Sequence, residues 1–181
     1  MIDMRKDKLL QQIKKVDGLT LTKEQQSLFM KYAKESYFYN LFAVMLYTGM
    51  RYEEIRGLKY IDIDKQKDVI HVQRTLIYIK DRGYFEGPTK TQSAKRDIPL
   101  TADILELLES QMQFRDSQTT KLDDYLFCDE NGEPLSKARV QIEIGRVIKR
   151  INADGYNFDP ITPCVLTRTF IAQAKKPGIS Q

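Results

Sequence analysis

The stretch that decides the fold is residues 48–64, which read TGMRYEEIRGLKYIDID. The seven residues before it, LFAVMLY, form an apolar run that predicts a buried helix. Gly49 predicts the end of that helix, because the residue just past a helix C-terminus often takes a positive φ that glycine adopts at little cost. Arg51 then opens a second helical segment with Ile55 on its apolar face. We therefore expect this guanidinium at a sharp turn between two core helices, where it is either an anion site or a solvated residue after a helix cap.

Length and composition favour one domain, or one domain with a short appendage. Of the 181 residues, 41% are hydrophobic, enough for a sizeable core, and 30% are charged, which argues against a membrane protein. No apolar run approaches the ~20 residues of a spanning helix, and the first residues do not read as a signal peptide. We expect a cytoplasmic protein without membrane contact.

The distribution of charge along the chain indicates which class of partner it binds. The net charge is +4, but residues 101–136 carry −7 while residues 137–181 carry +5. Such asymmetry suits a polyanion partner such as double-stranded DNA.

Cys128 and Cys164 are far apart and lack metal-ligand spacing, so we predict ordinary reduced thiols, no metal site and no cofactor.

Periodicity along the chain predicts an α+β fold, a mostly helical domain with a small three-stranded antiparallel sheet. The predicted helices are one after a capping box of Thr22 and Gln25, two at residues 37–47 and 51–58, one after the N-cap Thr101, one after Ser136, and a last one from Pro163 with Leu166, Phe170 and Ile171 facing inward. The predicted strands are residues 69–79, 84–89 and 96–100, with a turn at 81–83 and a loop at 115–124. Residues 1–20 are expected to form a basic lead-in.

Three separately spaced motifs occur in one order along the chain. The first is residues 48–64, the second is PTKT at 88–91 followed by KRDIPL at 95–100, and the third is ITPCVLTRTF at 161–170. With the predicted elements between them, these motifs resemble the tyrosine recombinases, the phage and transposon integrases, from about residue 21 to residue 180. The resemblance implies that residues 21–181 form a recombinase catalytic domain that is incomplete at its C-terminal end.

By this resemblance the domain binds duplex DNA in a basic cleft and cuts one strand with a tyrosine, leaving a phosphotyrosine and a free hydroxyl. Arg51 matches the first arginine that holds the phosphate, a task suited to a planar guanidinium that stays charged. Lys90 matches the general acid that protonates the departing oxygen, and an ammonium near other cations gives up its proton more easily. Glu54 is expected to brace the Arg51 turn rather than touch substrate. The expected DNA contacts are Arg51, Lys90, Lys95, Arg96 and Arg168.

The third motif departs from the family pattern. The family has a histidine there, an arginine three residues later and then another histidine or similar residue, and these places hold Cys164, Thr167 and Arg168. The arginine is displaced by one position, about 100° around a helix, so these three residues are doubtful catalytic candidates. The family's nucleophilic tyrosine belongs to a later box, expected beyond Gln181. His71, the one histidine of the chain, is expected to be a strand residue without a catalytic role.

Two functions from different classes follow from these residues. One is a site-specific DNA recombinase or integrase of a phage or other mobile genetic element, able to assemble as a homo-oligomer on DNA. The other is a degenerate relative that keeps only DNA binding or a protein contact. Arg51 and Lys90 favour the first function, whereas Cys164 and Thr167 favour the second.

Overall fold

The computed structural model describes residues 20–88, 95–118 and 125–174, and the chain divides into two compact units. One unit joins the chain up to Gly49 to the chain from Lys137 onward, and the other runs from Met50 to Ser136. In chain order the elements are α1 (Lys23–Ala33), α2 (Tyr39–Thr48), α3 (Tyr52–Arg56), a 3₁₀ turn (Tyr60–Asp62), β1 (Ile63–Asp64), β2 (Val69–Val72), β3 (Arg74–Ile79), β4 (Gly83–Pro88), β5 (Arg96–Pro99), α4 (Ala102–Gln118), α5 (Lys137–Ala153) and α6 (Pro163–Ala174). The predicted lead-in lies outside the described residues except for Thr20.

The described part of the first unit contains helices and no strands. Its first helix, α1, starts at the predicted capping box: the Thr22 hydroxyl accepts from the Gln25 N–H at 3.2 Å, and the Gln25 side chain accepts from the Thr22 N–H at 2.8 Å. Helix α2 packs against α6, and α1 packs against α5. Phe29 of α1 and Phe42 of α2 are both fully buried and meet edge to face at 5.4 Å. Burial of such apolar faces, rather than helix propensity, stabilises helices of this length.

Gly49 ends α2 with a φ of +65°, as the sequence predicts. Its N–H donates to the Met45 carbonyl at 3.2 Å, which satisfies one of the last carbonyls of the helix. A Cβ placed on Gly49 would lie 2.4 Å from Cδ1 of Phe170 in α6. Glycine is therefore required here for two reasons, its backbone conformation and the close approach of an aromatic ring.

Helices α5 and α6 confirm most of the predicted apolar pattern. The inward residues of α5 are Val140, Ile144, Val147, Ile148 and Ile151, all buried. Helix α6 begins at Pro163, and its Leu166 is fully buried. The predicted inward orientation of Ile171 is wrong, because this side chain is 42% exposed. Five residues past Leu166, a helix has turned about 140° away from the buried face.

The second unit contains all the described strands, and its arrangement corrects one prediction. The predicted single strand 69–79 is two strands, β2 and β3, which separate at Gln73 and belong to different sheets. The three-stranded sheet has the order β1-β2-β5, with antiparallel pairing throughout. Strands β3 and β4 form a separate antiparallel ribbon, and the predicted turn at 81–83 joins them, although Gly83 is already the first residue of β4. The α+β class with a small three-stranded antiparallel sheet is thus confirmed, although the strands that form it differ.

Helix α4 begins after Thr101, whose hydroxyl accepts from the Ile104 N–H at 3.4 Å, as predicted for an N-cap. The helix continues to Gln118, so the predicted loop at 115–124 is wrong for residues 115–118. The reason is that α4 buries two polar residues, Gln111 and Arg115, which interrupt the apolar pattern of the sequence. Gln111 donates to the Leu126 carbonyl at 3.1 Å, and Arg115 lies over the Tyr60 ring at 5.3 Å.

Among the helices that the structure describes, none has the length and apolar character needed to cross a membrane.

Candidate nucleic-acid interface

Arg51 occupies the turn that the sequence assigns to it, as the N-cap of the short helix α3. Its backbone N–H donates to Oε2 of Glu54 at 2.8 Å, which fixes the main chain at the turn. Its side chain remains 63% exposed, and Nη1 of the guanidinium lies 3.7 Å from Oε1 of Glu54. A guanidinium that is open to solvent on a fixed backbone is suited to hold an anion bidentately.

Glu54 is the buried centre of this arrangement. Its carboxylate has no solvent exposure, and it receives two parallel hydrogen bonds from Arg96, Nη1 to Oε1 at 2.9 Å and Nη2 to Oε2 at 3.0 Å. A buried carboxylate is tolerated only when charged or hydrogen-bonded partners replace water. The predicted bracing of the Arg51 turn by Glu54 is present, and the pairing with Arg96 is an addition that the sequence did not reveal.

Arg96 opens strand β5 and has a side chain that is 36% exposed. Both of its terminal nitrogens are directed to Glu54, so the planar fork that would grip a phosphate is engaged by a carboxylate. Lys95, the residue before it, is exposed. Of the two neighbouring cations predicted to contact DNA, Lys95 is the one whose exposure fits that role, and Arg96 is placed to support the Arg51 turn.

Lys90, the predicted general acid, lies outside the described residues, as do its neighbours in the PTKT motif from residue 89 onward. The described chain stops at the end of β4 and resumes one residue before β5. Since Arg96 is the first residue of β5, its bond to Glu54 ties the chain just after the Lys90 stretch to the helix that begins at Arg51.

The third motif forms helix α6 and belongs to the other unit. Thr167 is buried at 6% exposure, whereas Cys164 and Arg168 are exposed. Adjacent positions of this helix therefore face different surroundings, as expected from an arginine displaced by one residue. Thr169 is fully buried, donates to the Val165 carbonyl at 2.7 Å and accepts from the Leu21 N–H at 2.9 Å.

His71 lies in strand β2, as predicted, between acidic residues of the two neighbouring strands. Its Nδ1 is 2.7 Å from Oδ1 of Asp97 in β5, and its Nε2 is 3.5 Å from Oδ2 of Asp64 in β1. The hydrogen bond to Asp97, and more weakly the one to Asp64, raises the pKa of the imidazole. Within the described ranges, no group of three or more His, Cys, Asp or Glu residues is arranged to hold a metal ion.

A polar cluster that the sequence did not reveal lies next to the C-terminal end of α3. Asp62 is buried and accepts hydrogen bonds from Arg74 and from the Lys59 N–H. Arg74 also donates to the Gly57 carbonyl at 3.2 Å, immediately after α3. Glu86 joins the cluster through the Lys59 ammonium, and this bond, together with one from the Tyr125 hydroxyl, lowers the pKa of the Glu86 carboxyl. The cluster fixes the chain that leaves α3.

Residues 20–179 match the family model described as the phage integrase family. The chain belongs to the phage integrase family. Helix α2, the Gly49 turn, Arg51, the strands and α6 all lie within the matched region of this integrase-family chain.

Individual members of the family show how far the likeness extends. The transposase from transposon Tn916 of Enterococcus faecalis is 25% identical over 176 residues, which cover 91% of this chain and 43% of the transposase. The Tn1549 transposon integrase, solved in complex with a circular intermediate DNA, superposes with a TM-score of 0.77 at 24% identity, covering 90% of this chain and 55% of that one. A lambda integrase tetramer bound to a Holliday junction gives 0.55 at 20% identity, covering 92% and 45%.

Coverage is uneven between the two sides of these comparisons. The present integrase-family chain is matched almost entirely, yet it spans less than half of the Tn916 transposase. The two solved structures share its fold.

Proposed function

We propose that this chain is part of the catalytic domain of a site-specific DNA recombinase or integrase. In the full-length protein, the domain would break and rejoin DNA strands through a phosphotyrosine intermediate. The observation that carries the proposal is the exposed Arg51 guanidinium on a turn whose main chain is held by Glu54. Residues 21–181 would form this part of the domain, residues 1–20 the lead-in, and the nucleophilic tyrosine would come from the remainder of the protein.

Arg51 would hold the phosphate whose diester bond is broken. In phosphoryl transfer, the negative charge on the equatorial oxygens must be stabilised, and a guanidinium offers two parallel N–H donors and never loses its proton. Because Glu54 fixes the backbone of the turn, little reorganisation is needed when the phosphate arrives. The diester bond energy is kept in the phosphotyrosine, so the strand can be rejoined without a cofactor.

Lys90 would protonate the departing oxygen, and Lys95 and Arg168 would contact phosphates. Arg96 could reach DNA only with the part of its side chain that Glu54 leaves exposed, so we assign it mainly to the support of Arg51. The general acid would belong to the chain between β4 and β5, whose far end is anchored by the Glu54 and Arg96 pair.

Double-stranded DNA is the proposed partner, and a homo-oligomer on DNA is the proposed assembly. The Tn1549 integrase was solved with a circular intermediate DNA, and the lambda integrase was solved as a tetramer on a Holliday junction. These members of the family support both proposals. The proposed compartment is the cytoplasm, consistent with two cysteines that form no disulfide.

Covalent trapping tests the proposed function. The natural full-length protein would be incubated with nicked duplexes tiled across the DNA that flanks its gene, and protein–DNA adducts would be separated on a denaturing gel. A nick next to the cut lets the short strand diffuse away, so the phosphotyrosine accumulates. We expect a protease-sensitive adduct on duplexes that contain the recombination site and none on intact duplex of the same sequence.

A degenerate, non-catalytic relative is the second candidate, favoured by one observation. Thr167, at the place of the family's second arginine, is uncharged and buried, and Arg168 is on an exposed face. Absence of any adduct from the wild-type protein would favour this candidate. If the Thr167→Arg variant, shown by thermal melting to be folded, also forms none, the enzymatic function would be rejected.

A further inference from the structure

Arg56, the last residue of α3, is a buried cation at 5% exposure. Its guanidinium lies over two aromatic rings, with Cζ 5.2 Å from the ring centre of Tyr52 and 5.1 Å from that of Tyr84. Its Nε donates to the Leu76 carbonyl at 2.9 Å, its Nη2 donates to the same carbonyl, and its Nη1 reaches the Leu135 carbonyl at 3.5 Å. Within the described part of the chain, its partners are carbonyls and ring faces rather than a carboxylate.

These contacts join three separate segments of one unit. Leu76 belongs to β3 and Tyr84 to β4, so the β3–β4 ribbon supplies one carbonyl and one ring. Leu135 lies near the end of the unit and also accepts a hydrogen bond from the Tyr52 hydroxyl. Burying a charge has a large desolvation cost, which an apolar residue of similar size would avoid. Unlike an apolar residue, a guanidinium restricts the orientation of the groups around it, because its planar fork of N–H donors and its contacts with ring faces accept only a narrow range of geometries.

Helix α3 needs such fixation because it has five residues. A single helical turn of this length is not stable by itself, so tertiary contacts at its two ends must set the direction of its axis. At the N-terminal end, the N–H of Arg51 donates to the Glu54 carboxylate, which is itself held by Arg96. At the C-terminal end stands Arg56, followed by Gly57, where an added Cβ would lie 3.2 Å from the backbone nitrogen of Leu76.

We infer that Arg56 is a positioning residue for Arg51. By clamping the C-terminal end of α3 to the β3–β4 ribbon and to the Leu135 segment, it sets the place at which the Arg51 guanidinium meets the phosphate. Arg56 is too deeply buried to touch DNA itself. The inference rests on the proposed function, since it assigns Arg56 a part in the strand-cleavage step.

The first experiment compares rate and affinity in the natural full-length protein. The Arg56→Lys variant keeps the positive charge but loses the planar fork of N–H donors. Adduct formation on the nicked duplex would be measured under single-turnover conditions at saturating DNA, alongside the Kd and the Tm. We expect the rate to fall by about 10- to 100-fold, as for a misplaced catalytic group, while the Kd changes by less than about threefold. A wild-type rate for Arg56→Lys would overturn the inference.

The second experiment separates positioning of Arg51 from general support of the fold. In a methylphosphonate duplex, a methyl group replaces one non-bridging oxygen of the scissile phosphate, so the charge that Arg51 neutralises is absent. If Arg56 acts through Arg51, the rate losses of Arg56→Lys and Arg51→Ala shrink together on this substrate. An Arg56→Lys loss of equal size on both substrates would mean that Arg56 supports the fold alone, and the inference would fail.

A second variant tests the inference in case the Arg56→Lys protein does not fold. Tyr84→Leu removes one of the two rings that contact Arg56 while keeping an apolar side chain, and it should also lower the rate, by a smaller factor. Phe85→Leu is the matched control, because Phe85 is the next aromatic residue of the ribbon, points to the opposite face and is 44% exposed. Equal rates for the two leucine variants would overturn the inference. Absence of an adduct from the wild-type protein would instead reject the proposed function, and the inference with it.

Discussion

The carboxylate of Glu54 and the guanidinium of Arg96 are joined by two parallel hydrogen bonds, 2.9 and 3.0 Å long. The same carboxylate accepts the backbone N–H of Arg51 at 2.8 Å. One fully buried acid therefore connects the start of α3 to the start of β5. In doing so it links Arg51 and Arg96, two residues on which the proposed cleavage depends. The geometry makes Arg96 a support for Arg51 rather than simply another cation on the surface.

Replacing Glu54 by glutamine should destabilise the fold. The amide keeps the shape of the side chain but loses the charge. Its NH₂ group would face an N–H of Arg96 at either oxygen position, and at the position of Oε2 also the N–H of Arg51. Since Arg96 is partly exposed, we expect a loss of about 1–3 kcal/mol in the free energy of unfolding, measured with urea. Glu106→Gln, on the exposed side of α4, is the control and should change stability by no more than about 0.5 kcal/mol. Equal stabilities of Glu54→Gln and wild type would show that the pair is not structural.

Gly49→Ala should be strongly destabilising. The substitution places a side chain at a φ of +65° and brings its Cβ to 2.4 Å from the Phe170 ring. The combined cost of the left-handed backbone and the overpacking is about 2–4 kcal/mol. Thermal or urea unfolding of the purified protein would measure it.

The matched control for this substitution is Gly145→Ala in α5. An added Cβ on Gly145 meets nothing within 4 Å among the described residues. Since alanine is the better helix former, this variant should be more stable than wild type by roughly 0.5–1 kcal/mol. If the two glycine variants changed stability by the same amount, the steric account of Gly49 would be incorrect.

The His71 cluster predicts a pH dependence of stability. Hydrogen bonding to Asp97 raises the folded pKa of His71 above its ordinary value of about 6.5. Protonated His71 therefore stabilises the fold at pH values below 6.5, and this contribution is lost as the pH rises through the folded pKa. The stability difference between wild type and His71→Gln should be largest near pH 5.5 and should fall to a constant lower value at alkaline pH, where the imidazole is neutral. A difference that is constant across this range would rule out the contribution of the charged imidazole.

Salt dependence tests the proposed DNA contacts. Arg51→Ala and Lys90→Ala should each weaken duplex binding and reduce the slope of log K against log salt by about one, the signature of one lost phosphate contact. Lys65→Ala is the control, because Lys65 pairs with Glu109 at 2.6 Å on α4. Unchanged slopes for both Arg51→Ala and Lys90→Ala would place the DNA on another surface.

Local signals in the sequence were enough to predict the Arg51 turn. The signal there is a glycine after an apolar run, and the structure confirms the helix end that it predicts. Two other signals that act over a few residues also predict helix starts correctly, the capping box at Thr22 and the proline at the start of α6. The separation of β2 from β3 at Gln73 could not be predicted, because alternation along a strand does not reveal to which sheet each half belongs. The sequence predicts a loop at Arg115, because a cation at a buried helix position has no apolar signature.

The pairing of Glu54 with Arg96 could not be predicted from the sequence for a different reason. The two residues are 42 positions apart, and nothing in a charged side chain indicates whether it will meet solvent, a phosphate or a buried carboxylate. Arg56 presents the same difficulty, since a cation in a short helix normally predicts an exposed face. For both arginines, the tertiary partners decide the role, and those partners are identified only in the folded chain.

The most direct test of the account is the single-turnover rate of adduct formation by the natural full-length protein on saturating nicked duplex, with and without the Arg51 side chain. If Arg51 stabilises the charge on the scissile phosphate, Arg51→Ala should slow the reaction by at least about 100-fold, because saturating DNA removes the effect of weaker binding. Equal rates for wild type and Arg51→Ala would contradict the account.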